Sequence, residues 1–202
     1  MKDASGATEE KTLLRTPMPE TPTDWSRDAR FLLFVRASVK NGQDMAALRL
    51  DSTSAEVTLL ETPFNEGAGQ FSPDGRFVAY VSNESGQQEV YLRPFLVRAD
   101  GTPSLGAKWQ VSNTGGSGPR WRGDGKELFY RNVDGAVLAA DVSVDGDLVR
   151  TALPRQLFAL PLTVTNWDVM PDGQRFLVLL PVTASVPDPI SVILNWQTAI
   201  GR

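Results

Sequence analysis

The fold of this chain is decided by the stretch Phe71-Ser72-Pro73-Asp74-Gly75-Arg76-Phe77-Val78-Ala79-Tyr80. Its centre is a tight turn, because Pro73 fixes its own φ angle, Asp74 can bond to nearby backbone and Gly75 tolerates a positive φ. The residues after the turn are mostly aromatic or β-branched, and such residues favour strands. The stretch therefore predicts a strand, a tight turn and a second strand.

The same pattern occurs four times along the chain. The turns cover residues 26–29, 72–75, 122–125 and 170–173, and their aspartates are spaced by 46, 50 and 48 residues. These aspartates are Asp28, Asp74, Asp124 and Asp172. Three positions before them stand Trp25, Phe71, Trp121 and Val169, and six positions after them stand Phe34, Tyr80, Tyr130 and Val178. A strand-built repeat of about 40–50 residues is typical of propeller blades.

Further strands complete each repeat as a four-stranded antiparallel blade, introduced by tight-turn pairs such as Ser85-Gly86. Residues 11–17 closely match the outer strand at residues 57–63, whereas the last repeat has no outer strand of its own. We therefore predict an all-β fold, a β-propeller with four blades over residues 11–202. The N-terminal strand is expected to close the last blade, and residues 1–10 are expected to be a disordered tail.

Composition excludes several kinds of chemistry. The chain has 202 residues, a net charge of −4, no cysteine and no histidine. Disulfides, thiolate zinc sites, cysteine nucleophiles and Ser–His–Asp catalysis are therefore excluded. Lysine and arginine are scattered singly, so neither nucleic acid nor an anionic membrane surface is an expected partner. We predict no catalytic residue, no cofactor and no metal, and expect that the chain is not an enzyme.

Several patterns in the repeats also suit ligand sites. The four turn aspartates could form a ring of carboxylates for a metal, and Asp145-Gly146-Asp147 resembles half a calcium loop. A structural interpretation, as turn and hairpin chemistry, is the alternative that we favour. The aromatic residues at fixed repeat positions favour a core between blades over a stacking platform. These aromatic residues are Trp25, Phe71, Tyr80, Trp121 and Tyr130.

The residue four positions before each turn aspartate is predicted to face the central channel. Neighbours along a strand point to opposite faces, so this position faces away from the apolar layer. The four residues are Asp24, Gln70, Arg120 and Asp168. Two hypotheses remain for them: hydrogen bonds between blades, or a site for a polar ligand or peptide.

The repeats resemble those of TolB-like (WD-repeat-like) β-propellers, in which Ser-Pro-Asp-Gly precedes a basic residue and an apolar strand. The match is carried by residues 71–80, 118–130 and 171–176. Residues 82–95 and the ending at 192–196 resemble the C-terminal propeller of certain bacterial Ser/Thr protein kinases. Propellers of that family usually have six or seven blades, whereas this chain has four repeats. No kinase phosphate loop or catalytic loop is present in the sequence.

The resemblance implies a binding or scaffold module for a protein or peptide, and a sensor role related to kinase-linked propellers. The alternative is an accessory propeller of a prolyl-oligopeptidase-like hydrolase, whose catalytic domain would lie elsewhere. A homodimer is expected if four blades do not close a ring.

The N-terminus lacks the apolar core of a signal peptide, and prolines interrupt the apolar region at residues 176–196. As written, the chain is expected to be cytoplasmic without membrane insertion, or extracytoplasmic if it belongs to a membrane-anchored kinase.

Overall fold

The computed structural model describes residues 9–39, 42–51, 55–145 and 148–181, together with the backbone of residues 190–193. Within these residues it contains strands and no helix. The strands form four antiparallel sheets, which we number 1 to 4 in chain order. Each sheet begins with one of the four strand–turn–strand units, so the predicted all-β class and the predicted repeat are confirmed.

The sheets contain the following strands. Sheet 1 contains β1 (Glu20–Trp25), β2 (Phe31–Ser38), β3 (Gly42–Arg49) and β4 (Glu56–Leu60). Sheet 2 contains β5 (Glu66–Phe71), β6 (Phe77–Ser82), β7 (Glu89–Val97), β8 (Pro103–Leu105) and β9 (Trp109–Gln110). Sheet 3 contains β10 (Ser117–Trp121), β11 (Glu127–Arg131), β12 (Ala136–Asp145), β13 (Leu148–Thr151) and β14 (Arg155–Ala159). Sheet 4 contains β15 (Asn166–Val169), β16 (Phe176–Leu179) and β17 (Ile190–Ile193).

The four turns share one pattern of backbone hydrogen bonds. In sheet 2, the Gly75 N–H donates to the Ser72 carbonyl at 2.8 Å, and the Ser72 N–H donates to the Phe77 carbonyl at 2.8 Å. The first bond recurs with Ala29, Gly125 and Gly173 as donors, at 2.8–2.9 Å. Both bonds join residues within the same short segment, so local hydrogen bonds close each turn.

Apolar side chains fill the space between consecutive sheets. Between sheets 1 and 2 the core includes Leu33, Met45, Phe71 and Tyr80. Between sheets 2 and 3 it includes Ala79, Val90, Trp121 and Leu128. Between sheets 3 and 4 it includes Phe129, Leu157, Trp167 and Phe176. These three apolar layers stack the sheets in chain order and bring their first strands side by side.

Three of the four inner strands are irregular just before the channel-facing residue. The pairing of β1 with β2 shifts before Asp24, that of β5 with β6 before Gln70, and that of β10 with β11 before Arg120. The pairing of β15 with β16 has no shift. A β-bulge bends its strand and changes the direction of nearby side chains. The bulges, which the sequence analysis did not predict, therefore help to orient three of the four channel-facing residues.

The N-terminal segment does not complete sheet 4, contrary to the prediction. Residues 9–16 form no strand, and Leu13 and Leu14 pack against Phe34 and Leu48 of sheet 1. Within the described residues sheet 4 has three strands, and no sheet closes the ring. The physical reason is that no sheet among the described residues packs on the outer apolar face of sheet 1, and the leucine pair covers this face instead.

Trp25 is not part of the core, although its repeat position predicted this. Its counterparts Phe71 and Trp121 are buried against the preceding sheet, whereas Trp25 is 42% exposed. The other predicted core aromatics, Tyr80 and Tyr130, are buried as expected.

Strands β8 and β13 were not predicted; they arise because β7 and β12 extend beyond the blade and pair with a returning segment. Residues 1–8 of the predicted tail, Gly146 and Asp147 of the Asp-Gly-Asp segment, the proline-rich loop at 182–189 and the ending at 194–196 lie outside the described residues.

Candidate functional site

The four channel-facing residues line one pocket. Asp24, Gln70, Arg120 and Asp168 surround a cavity of about 200 Å³ where the first strands of the four sheets converge. We call this cavity the central pocket. Residues from the turns complete its wall, among them Arg27, Pro73 and Pro171, together with Trp25 and Trp121. Four strands from four sheets are therefore needed to build it.

Asp24 joins sheet 1 to sheet 2. Its Oδ1 accepts a hydrogen bond from the Trp25 N–H at 2.8 Å, and its Oδ2 accepts one from the Phe71 N–H at 2.8 Å. Burial raises the pKa of Asp24, and the negative charge of Asp168 adds to this effect. The two backbone donors and Arg120 act in the opposite direction without cancelling the increase. The carboxyl is thus both a link between sheets and a group whose proton is held more tightly than usual.

Arg120 joins sheet 3 to sheet 4. Its Nε lies 3.3 Å from Asp168 Oδ1, its Nη2 donates to Asn166 Oδ1 at 3.4 Å, and its guanidinium lies 5.8 Å from the centre of the Trp167 ring. Burial lowers the pKa of Arg120, and the charges of Asp168 and Asp24 oppose this effect. The guanidinium remains protonated at neutral pH.

Asp168 is the most solvent-accessible of the three charged channel-facing residues. Its side chain is 68% exposed, whereas the side chain of Arg120 is 18% exposed. Its Oδ1 accepts a hydrogen bond from the Val169 N–H at 2.9 Å. Asp24, Arg120 and Asp168 therefore all take part in links between sheets, and Asp168 does so with most of its side chain exposed to solvent.

The turn aspartates act locally in each sheet. Asp74 Oδ1 accepts hydrogen bonds from Ser72 Oγ at 2.6 Å and from the Arg76 N–H at 3.1 Å. Asp28 makes the equivalent bonds to Ser26 and Arg30. Within the described residues no group of three or more acidic side chains could hold a metal ion. The turn geometry supports the structural interpretation of these aspartates over a metal ring.

A larger cleft of about 600 Å³ lies between the turns of sheets 2 and 3 and meets the central pocket at Ser72 and Trp121. Its arginines are engaged by acidic neighbours: Arg76 pairs with Asp74, and Arg122 pairs with Asp124 and Glu127. The positive charges of both arginines in the cleft are therefore compensated.

Several wall residues of the central pocket were missed from the sequence, among them Arg27 and Trp121. Arg27 was assigned only to a turn, and Trp121 only to the core. Both stand at fixed positions relative to a turn aspartate, one and three residues before it. This fixed offset could have indicated that both residues reach the pocket, because the turns end at the same rim of the pocket as the inner strands.

The described residues contain no helix of the length and apolarity that a membrane span requires.

No protein-family model and no curated protein sequence matches the chain. Solved structures do resemble it. TolB from Acinetobacter baumannii aligns with a TM-score of 0.67 and 18% identity, over 96% of this chain and 45% of that one. The fold resembles that of TolB. An oligogalacturonate lyase in complex with manganese aligns with a TM-score of 0.61 and 15% identity, over 94% of this chain and 55% of that one. A gluconolactonase from Xanthomonas campestris aligns with a TM-score of 0.58 and 17% identity, over 88% of this chain and 60% of that one.

These structures confirm the predicted resemblance to TolB-like propellers at the level of the fold. The chain spans about half the length of the structures that it matches. The finer resemblance to kinase-linked propellers stays a prediction.

The expectation that the chain is not an enzyme is contradicted by the same comparison. Two of the similar structures are a lyase and a lactonase, so this fold with this arrangement of sheets occurs in enzymes. The expectation relied on the absence of histidine and cysteine, and that absence leaves carboxylates and guanidiniums available for catalysis.

Proposed function

We propose that this chain is a propeller module that binds an extended polypeptide segment in the central pocket. The observation that carries the proposal is the convergence of Asp24, Gln70, Arg120 and Asp168, one from each sheet, on a single cavity. A sensor role, of the kind that kinase-linked propellers suggest, is part of the proposal and rests on the sequence motifs.

The chemistry of the pocket suits a peptide. Asp24 and Asp168 supply two carboxylates, and Arg27 and Arg120 supply two guanidiniums, so the formal charges of the wall balance. A balanced wall favours a dipolar ligand over a strongly charged one, and guanidinium groups recognise planar oxygen-bearing groups through paired hydrogen bonds. Trp25 and two prolines add apolar surface at the rim. A polypeptide segment offers amides, carbonyls and apolar side chains together.

The test is capture of peptides from a displayed random-peptide library, followed by measurement of affinity for the selected sequences. Asp168→Asn removes an exposed charge, and we expect binding to weaken about five- to tenfold while the melting temperature changes by less than about 2 °C. Asp24 and Arg120 are less suitable for this test because their hydrogen bonds with Phe71 and Asn166 join sheets, whereas Asp168→Asn keeps a side-chain oxygen that Arg120 can contact. Asp134→Asn, in an exposed hairpin of sheet 3, is the matched control. Equal affinities for the two variants would contradict the proposed site.

Turnover of a small sugar-derived ester in the same pocket is a second candidate. It is favoured by the raised pKa of the Asp24 carboxyl beside the Arg120 guanidinium, since such a carboxyl can exchange a proton nearer to neutral pH. The guanidinium would stabilise a developing oxyanion. The measurement is hydrolysis of gluconolactone by the purified chain. Loss of hydrolysis in both Asp24→Asn and Arg120→Lys, with unchanged circular dichroism, would support this candidate, and a rate equal to that of buffer would exclude it.

A further inference from the structure

We propose that Glu66 is a buried proton-binding site and that its charge makes the contact between sheets 1 and 2 depend on pH. Glu66 is the first residue of β5, at the end of this inner strand that lies away from the turn. It is 1% exposed. A buried carboxylate is costly unless a cation or several hydrogen-bond donors lie beside it.

The sequence repeat shows which partner Glu66 lacks. In sheet 1 the first three strands place three charged residues opposite one another: Glu20, Arg36 and Asp44. The arginine is paired with the glutamate, since Arg36 Nη2 donates to Glu20 Oε1 at 3.1 Å. The equivalent row of sheet 2 consists of Glu66, Ser82 and Glu89. A serine therefore stands between two glutamates where sheet 1 has an arginine.

This row of sheet 2 is closed off from solvent. All three of its residues are 1% exposed, whereas the side chains of Glu20 and Arg36 in sheet 1 are 18% and 25% exposed. Sheet 1 comes close beside Glu66, because a Cβ at Gly67 would lie 3.3 Å from Gln43 Oε1 of β3. Water therefore does not solvate the charge of an ionised Glu66.

The two glutamates of the row differ in their hydrogen bonds. Glu89 accepts them from three donors: Gln87 Nε2, Ser112 Oγ and the Gly115 N–H. Glu66 Oε1 accepts one from Thr62 Oγ1, whereas Glu66 Oε2 has no hydrogen-bond partner among the described residues. The surroundings of Glu89 therefore suit a charged carboxylate, and those of Glu66 suit a neutral carboxyl.

The charges near Glu66 also favour its neutral form. Burial raises the pKa of Glu66, and the carboxylates of Asp44 and Glu84 add to this effect. The hydroxyls of Thr62 and Ser82 oppose the increase without cancelling it.

Other titratable groups of this region do not compensate a charge on Glu66. Tyr80, which interacts with Glu66, stays neutral because burial raises its pKa. Three basic residues have other partners: Lys108 pairs with Glu84, Arg36 with Glu20 and Glu56, and Arg93 donates to the Gly106 carbonyl. The folded state thus binds the Glu66 proton more tightly than the unfolded state. The resulting stability is complete below the ordinary value of 4.5 and is lost as the pH rises through the folded pKa.

The first experiment follows the Glu66 carboxyl itself, through the pH dependence of its ¹³Cδ chemical shift in the whole chain. We expect half-protonation at a higher pH than in an unfolded peptide of residues 62–70. Titration at or below the value of the peptide would overturn the proposal. Only the wild-type protein is needed, so the result does not depend on the folding of a variant.

The second experiment uses Glu66→Gln, which keeps the shape of the side chain and cannot ionise. Its urea midpoint should differ least from that of the wild type at pH 5 and should be higher at pH 8. Glu20→Gln, at the same position of sheet 1, is the matched control and should lower the midpoint at pH 8, because it loses the ion pair with Arg36. A midpoint for Glu66→Gln below that of the wild type at pH 8 would contradict the proposal.

Hydrogen exchange tests the contact between the sheets. Protection factors of amides in β3 and β5 should fall as the pH rises in the wild type and stay constant in Glu66→Gln. If the carboxyl titrates as expected while these factors do not change in the wild type, the proposed dependence of the contact on pH is wrong.

Discussion

At the scale of single residues, the turn aspartates illustrate how a carboxylate closes a turn. Asp124 Oδ1 accepts hydrogen bonds from Arg122 Nε at 2.8 Å and from the Lys126 N–H at 3.0 Å, and its Oδ2 accepts one from Arg122 Nη2 at 2.7 Å. The hydrogen bonds from Arg122 lower the pKa of Asp124 to about 2. The charged form of this side chain therefore contributes to the stability of the fold.

Replacement of Asp124 by Asn is expected to lower the free energy of unfolding by less than about 1 kcal/mol at neutral pH, because the carboxylate is 44% exposed. The folded pKa lies below the ordinary value, so this contribution is present above about pH 4 and is lost as the pH falls towards 2. Urea unfolding of both proteins across this range measures it. The difference in free energy of unfolding between the two proteins should decrease towards pH 2. A difference that increases would contradict a stabilising role for the Asp124 carboxylate. Asp134→Asn, whose side chain makes no hydrogen bond within the described residues, is the control.

The first turn is strained at Ala29. Its φ is +57°, in the region where the other three turns use glycine with φ of +72°. A Cβ in this conformation costs about 1–2 kcal/mol. Ala29→Gly should therefore raise the free energy of unfolding, by about 1 kcal/mol after allowance for the extra freedom of glycine in the unfolded chain. Ala37→Gly, in the regular strand β2, should have the opposite sign. The denaturant midpoint should rise in Ala29→Gly and fall in Ala37→Gly, and a lower midpoint in Ala29→Gly would contradict the strain at this residue.

At the scale of elements, the inner strands carry the bulges that orient the pocket residues. Gly118 lies within the bulge of β10, two positions before Arg120, with φ of +56°. Ala68 has the equivalent position in β5, two residues before Gln70, with φ of +52°. A positive φ at this position accompanies the bulge in both sheets. The position of a pocket residue is thus a property of its strand's irregularity as well as of its number in the repeat.

Gly118 also lies against the next sheet. A Cβ at this residue would be 2.9 Å from Trp167 Nε1. Gly118→Ala should lower the free energy of unfolding by about 2–4 kcal/mol, from the positive φ and the overpacking together. Gly75→Ala isolates the first effect, because its φ is +72° and nothing lies within 4 Å of its Cβ, and should cost about 1–2 kcal/mol. Equal losses in urea unfolding would show that the contact with Trp167 has no energetic weight.

At the scale of the whole molecule, the sheets form a row with two unequal ends. The outer face of sheet 1 is covered by Leu13 and Leu14, whereas the outer face of sheet 4 leaves Leu177 and Leu179 half exposed. The predicted homodimer would use such a face, and it stays a prediction. The two faces of strand β16 allow a direct comparison of buried and exposed residues.

Phe176 is fully buried, and its ring contacts those of Phe129 and Phe158 at 5.4 and 4.9 Å between centres. Phe176→Ala is expected to cost about 3–5 kcal/mol. Leu177→Ala, on the exposed face, is expected to cost less than about 1 kcal/mol in dilute solution. Guanidinium unfolding of both variants provides the measurement. A cost for Leu177→Ala that rises with protein concentration would show that a second copy covers this face.

Most of the local structure could be predicted from the sequence repeat. The inner strands, the four turns and the buried positions of Phe71, Tyr80, Trp121 and Tyr130 agree with the prediction. The residues Asp24, Gln70, Arg120 and Asp168 line one cavity, and their role in binding stays a prediction. These features depend on hydrogen bonds across a few residues and on alternation along a strand, which any short window of sequence contains.

Other features depend on which surfaces meet after folding. The leucines at positions 13 and 14 match an outer strand in sequence, yet they cover an apolar face of sheet 1 on which no other described sheet packs. The exposure of Trp25 has the same cause. The close approach of Gly118 to Trp167 likewise arises between sheets. Local hydrogen bonding therefore specifies each turn and strand from the sequence, while long-range packing decides which faces are covered and where the pocket opens.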